Sequence, residues 1–195
     1  MAFKKIYIPV DAALQREDFD IWYEDDTLFC NVQSDWADEK SKVNFISTHG
    51  TEMARIKPDN KALNYDIRVE RYTYTLHTYL IFRHYYCEGM LWQMNGSPSK
   101  GHANFTNENT NKKDVLISTV DFKRHGKCYE VKVKDISKLR IAAVVVVAIL
   151  VKEAYKGLSE GERDDDAKWH QKLKQYFAEK GLTYEEVEAG NTKPY

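Results

Sequence analysis

Residues 140–155 read RIAAVVVVAILVKEAY. Between Arg140 and Lys152 lie eleven consecutive apolar residues, Ile141 to Val151, in a chain that is 30% charged. As a helix, such a run spans only ~16 Å at about 1.5 Å per residue, whereas a bilayer core needs ~30 Å. Lys138, Arg140, Lys152 and Glu153 stop it from being extended either way, so a simple transmembrane span fails on length. Four successive valines favour a strand. The length, the interrupting Ala142, Ala143 and Ala148, and the helix-forming KEAYKG that follows favour a helix instead. Asp135 or Ser137 is suited to cap its start and Gly157 to end it. The stretch predicts a helix over about 136–156. Its central turns have no polar face, and a helix that is apolar all round must be surrounded on all sides.

The material to surround it precedes it. LNYDIRVERYTYTL places Tyr65, Ile67 and Val69 on one side and Asp66, Arg68 and Glu70 on the other. GKCYEVKVKD does the same with Tyr129, Val131 and Val133 against Cys128, Glu130 and Lys132. Period-two segregation of this kind marks half-buried strands. Further strands are expected at Lys4–Val10, Phe19–Tyr23, Leu28–Val32, Val43–Ser47, Met53–Lys57 and in the aromatic-rich HTYLIFRHYY. Turns such as YEDDT, STHGTE, NENTNKK and KRHGK separate them. Closing these strands into an antiparallel barrel removes the sheet edges and encloses the helix. The predicted fold is therefore mainly β: a closed antiparallel barrel around a central hydrophobic helix, covering residues 1–157.

Past Gly157 the composition changes. LSEGERDDD is a polar, acidic linker, and DAKWHQKLKQYFAEKG sets Trp169, Leu173, Tyr176 and Phe177 at helical spacing. Residues 158–195 are expected to form this linker and an amphipathic helical appendage, with Trp169, Leu173 and Phe177 as a face for a protein partner.

The chain has 195 residues, 43% hydrophobic, with a formal net charge of −1. This balance gives no general attraction to nucleic acid, so none is expected as a partner. The three cysteines, Cys30, Cys87 and Cys128, are widely spaced and odd in number, which fits a reducing compartment better than a disulfide framework. Pro9 and Asp11 break the N-terminal segment before it can serve as a signal-peptide core, so a cytoplasmic location is expected.

The order in Val115–Val151 resembles that of the tubby C-terminal-like superfamily, which includes phospholipid scramblases, LURP-one-related proteins and small bacterial members. A strand leads to a basic turn, then to the Tyr129-x-Val131-x-Val133 strand, an Asp135-led turn and the apolar helix. The resemblance implies a closed barrel of twelve antiparallel strands threaded by that helix. It also implies a membrane-linked role, because tubby domains hold phosphoinositide head groups through surface Lys and Arg. No basic position of the family is transferred residue by residue.

No catalytic constellation accompanies these features, and neither a cofactor nor a metal is expected. His84 and Cys87 are three apart on a strand and point to opposite faces. No Cys-His motif accompanies Cys30 or Cys128. The basic turn with Lys123, Arg124 and Lys127 is the best-defined candidate for an anion, with Lys40 and Lys42, near Arg55 and Lys57, as a second group. The reading is a non-enzymatic binding module for anionic phospholipid head groups, cytoplasmic and peripheral at the membrane. The alternative is a protein-interaction or scaffold domain acting through the C-terminal helix.

Overall fold

The computed structural model describes residues 3–11, 17–36, 41–58, 64–79, 84–98 and 101–159. Among them are twelve strands: β1 (Lys4–Pro9), β2 (Phe19–Tyr23), β3 (Leu28–Ser34), β4 (Val43–Ile46), β5 (Glu52–Pro58), β6 (Asn64–Val69), β7 (Tyr72–Tyr79), β8 (His84–Glu88), β9 (Trp92–Ser97), β10 (His102–Asn107), β11 (Lys112–Asp121) and β12 (Lys127–Val133). Each pairs with the next, and β12 returns to β1 in register from Lys4↔Val133 to Pro9↔Cys128. The sheet is thus a closed antiparallel barrel, as the alternation and the apolar helix require. Tyr65, Ile67 and Val69 are buried, and so are Tyr129, Val131 and Val133.

A 3-10 turn (Ile136–Lys138) leads into helix α1 (Leu139–Ser159). Every residue from Ile141 to Val151 is buried, at 4% exposure or less. All twelve strands contribute side chains to the same core as the helix, from Ile6 and Ile8 of β1 to Val131 and Val133 of β12. The run is therefore wrapped on every side, which is the only environment that satisfies a helix lacking a polar face. Among the described residues, no helix is long and apolar enough to cross a membrane.

Polar groups hold the helix entrance at the barrel mouth. Asp135 accepts hydrogen bonds from the Ser137 backbone N–H at 2.9 Å and from its hydroxyl at 2.7 Å. Lys138 Nζ meets Asp114 at 2.7 Å, and the same carboxylate accepts from Trp92 Nε1 at 3.0 Å. Arg140 pairs with Glu70 on the β6–β7 turn. Thus the charges that flank the apolar run in sequence flank the barrel in space. The helix passes through Gly157 rather than ending at it. An internal glycine costs about 1 kcal/mol relative to alanine, too little to break a helix this well packed.

Met1–Tyr155 forms one compact unit and Lys156–Tyr195 a second. Trp169, Leu173 and Phe177 lie outside the described residues, as do Lys40 and the expected linker from residue 160 on.

Val146 is 0% exposed, in the middle of the run. Val146→Asp places an unpaired carboxylate there, at a cost of several kcal/mol. The expected result is a chain without a cooperative thermal transition, read by circular dichroism.

Candidate functional site

Because α1 fills the barrel, the charged side chains of the strands lie on its outer wall. Two regions of that wall differ sharply. The first covers β12, β1 and β2. Here Cys128 and Glu130 point outwards, as their alternation predicts, yet both are buried. The cover over Cys128 is the β11–β12 tip, Phe122–Gly126, which lays Phe122 and His125 on the wall while Lys123, Arg124 and Gly126 stay exposed. Phe122 stacks on Tyr7 with centroids 3.7 Å apart, and His125 stacks on Trp22 at 3.8 Å. Tyr7, Phe122 and Cys128 form a small apolar cluster outside the main core.

Glu130 sits beside this cluster in a ring of donors. Lys132 Nζ is 2.6 Å away, Tyr7 Oη donates at 3.0 Å, and Lys5 Nζ lies at 3.4 Å. Burial works to raise the carboxyl's pKa, but the bonds from Lys132 and Tyr7 and the nearby lysine charges outweigh it and hold the pKa below its ordinary value. The Tyr7 phenol is pushed up to about 12, first by burial and then by Glu130. Burial likewise pushes the Cys128 thiol up to about 11, which opposes the thiolate a nucleophile needs.

This wall holds the first sequence candidates, and acid meets them. Lys123 Nζ donates to the Glu24 carbonyl at 2.9 Å, and Arg124 lies 3.8 Å from Asp26. His125 Nε2 contacts Asp26 Oδ1 at 2.5 Å. Lys127 begins β12 opposite Asp121. Lys123 and Arg124 are thus together, but beside Glu24, Asp25 and Asp26 of the β2–β3 turn. The sequence presents KRHGK and YEDDT nearly a hundred residues apart, and nothing local in either announces the other.

The second region covers β4, β5 and β6. Register sets Gln33 opposite Asn44, Asn44 opposite Arg55, Arg55 opposite Arg68, and Arg68 opposite Thr73. All face outwards, since the residues flanking both arginines in sequence are buried. Directly opposed side chains have Cβ atoms roughly 5 Å apart, and like charges so placed repel. The Glu52 carboxylate approaches Arg55 only to 4.0 Å, and Arg68 Nε donates to the Glu70 backbone carbonyl at 3.1 Å. Lys57, two residues from Arg55 on the same face, is opposite Asp66. Val43 pairs with Ile56, so continuing that register brings the exposed Lys42 beside Lys57. Lys42, Arg55, Lys57 and Arg68 therefore share one face. Arg68 escaped sequence reading because its partner depends on hairpin register, not on spacing.

Among the described residues, no three His, Cys, Asp or Glu side chains converge as metal ligands. No protein-family profile and no curated protein matches the sequence. The structure matches the crystal structure of an Arabidopsis thaliana protein, At5g01750, with a TM-score of 0.54 and 14% identity, covering 75% of this chain and 88% of that one. The two chains share a fold. At5g01750 is a LURP-one-related, tubby-like protein, so the expected barrel architecture is found. At this identity the likeness concerns the barrel and its helix, not individual surface residues.

The lowered Glu130 pKa has a definite sign. The group stabilises the fold above its ordinary value of 4.5 and loses that contribution as pH falls through the lower folded value. Thermal melts between about pH 5 and about pH 3 are expected to show a smaller acid-induced loss in Glu130→Gln than in the unaltered chain.

Proposed function

We propose that the chain is a small, bacterial-type relative of the LURP-one-related and tubby-like proteins. On this reading it is a non-enzymatic module that holds anionic phospholipid head groups on the outer wall of β4–β6. The observation that carries this reading is the cross-strand pair Arg55–Arg68, with Lys57 and Lys42 on the same face. An anion between two opposed guanidiniums relieves their repulsion and accepts planar, paired hydrogen bonds from both. The filled interior favours an external ligand, and it leaves no room for a lipid chain inside the barrel. The hairpin tip with Lys123, Arg124 and Lys127 is a poorer seat, because Asp26 and its neighbours already neutralise it.

The magnitudes favour a peripheral, reversible contact. Each cation near an anionic surface contributes about 1 kcal/mol, so four give at most ~4 kcal/mol, or a Kd of about 1 mM, and Asp66 opposite Lys57 and Glu52 near Arg55 reduce it. A cytoplasmic protein with such a face visits the membrane rather than residing in it.

The test is flotation with phosphoinositide-containing and neutral liposomes, at low and at physiological salt. The expected outcome is binding to the charged vesicles alone, weakened by salt. Arg55→Ala with Arg68→Ala should weaken it about 30-fold, the effect of losing ~2 kcal/mol. Equal, negligible binding to both vesicles overturns the reading. Binding that ignores the arginines but vanishes on removing residues 158–195 assigns the interaction to the C-terminal segment instead.

A further inference from the structure

We infer that the β11–β12 tip is a strap that lifts from the barrel wall independently of global unfolding, with the His125–Asp26 contact as its latch. The tip makes a sharp excursion: Lys123 has φ +44° and Gly126 has φ +71°, both in the left-handed half of backbone space. Its own closure is slight, with Phe122 N–H donating to Gly126 O at 2.8 Å and His125 N–H to Phe122 O at 2.9 Å. What holds it down is tertiary. Two ring stacks attach it to β1 and β2, and three polar contacts attach it to the β2–β3 turn. The patch it covers, Tyr7, Cys128 and the half-buried Trp22 and Val120, belongs to a cluster separate from the barrel core. Lifting the strap therefore exposes a small apolar patch without opening the barrel. A low-stability element over a stable scaffold is the arrangement from which local opening arises.

The latch is electrostatic in part. The Asp26 carboxylate faces His125 from the β2–β3 turn, and its pKa is lowered, chiefly by the hydrogen bond from His125. Asp25 and Glu24 stand in the same turn, and Lys123 and Arg124 in the strap itself. The groups facing from the barrel are neutral near pH 7: the Trp22 ring, the Tyr7 phenol at about 12 and the Cys128 thiol at about 11. Removing either partner of the 2.5 Å contact between His125 Nε2 and Asp26 Oδ1 takes away the shortest of the polar links between strap and turn.

Cysteine chemistry reports this opening directly. Cys128 lies under the strap, while Cys30 and Cys87 belong to the main core inside the barrel. The full chain is treated with N-ethylmaleimide, and each cysteine is followed by peptide mass spectrometry. Cys128 is expected to react faster than Cys30 and Cys87. Asp26→Asn should raise the Cys128 rate several-fold and leave the two interior cysteines unchanged. His125→Phe, which keeps a ring to stack but not the polar contact, should raise it as well. Cys128 reacting as slowly as the two interior cysteines overturns the strap. A Cys128 rate unchanged in both variants overturns the latch, and acceleration of all three cysteines together shows global unfolding and overturns both.

Discussion

A helix with no polar face constrains everything else in this molecule. Ile141–Val151 cannot be left against water on any side, and it is too short to rest in a bilayer. A flat sheet covers one side of a helix and a sandwich two. A closed barrel covers all of it, and closure also removes the unpaired strand edges. The charges at the helix start, Lys138 and Arg140, then find Asp114 and Glu70 at the barrel mouth.

Filling the barrel with its own helix leaves the charged side chains of the strands on the outer wall. The interior that a ligand-carrying barrel keeps open is occupied here by valine and isoleucine. The outward-facing residues differ between the two walls. Over β12, β1 and β2 the chain covers itself: Phe122 and His125 lie on Tyr7 and Trp22, and Glu130 is enclosed by Lys132, Lys5 and Tyr7. Over β4–β6 the outward residues include Arg55, Lys57 and Arg68 beside Asp66, and Arg55 directly opposes Arg68. A directly opposed like-charge pair works against sheet stability.

The architecture was legible in the sequence because it rests on local signals. Alternation at Tyr65–Val69 and Tyr129–Val133 marks strands, and the apolar run marks what they enclose. Strand ends mostly differ from expectation by a residue or two, where pairing with a neighbour decides the boundary, but HTYLIFRHYY holds the end of β7 and the start of β8. The walls were far less legible, because they depend on register and on contacts distant in sequence. Lys42, Arg55 and Lys57 are visible as a basic group, but Arg68 joins them only through the β5–β6 pairing. KRHGK reads as a solvated basic turn. Its docking requires Trp22 and Tyr7 to face outwards beside it and Asp26 to lie within reach, none of which spacing reveals.

The central claim is that the valine-rich helix is enclosed and inseparable from the barrel. Native-state hydrogen exchange of the Val144–Val147 backbone amides tests it most directly. An enclosed helix exposes these amides only when the barrel opens, so their opening free energy should equal that of global unfolding measured by denaturant. Exchange at a clearly lower free energy, with the strand amides still protected, would mean that the helix leaves the barrel while the barrel stays folded, and would contradict the account.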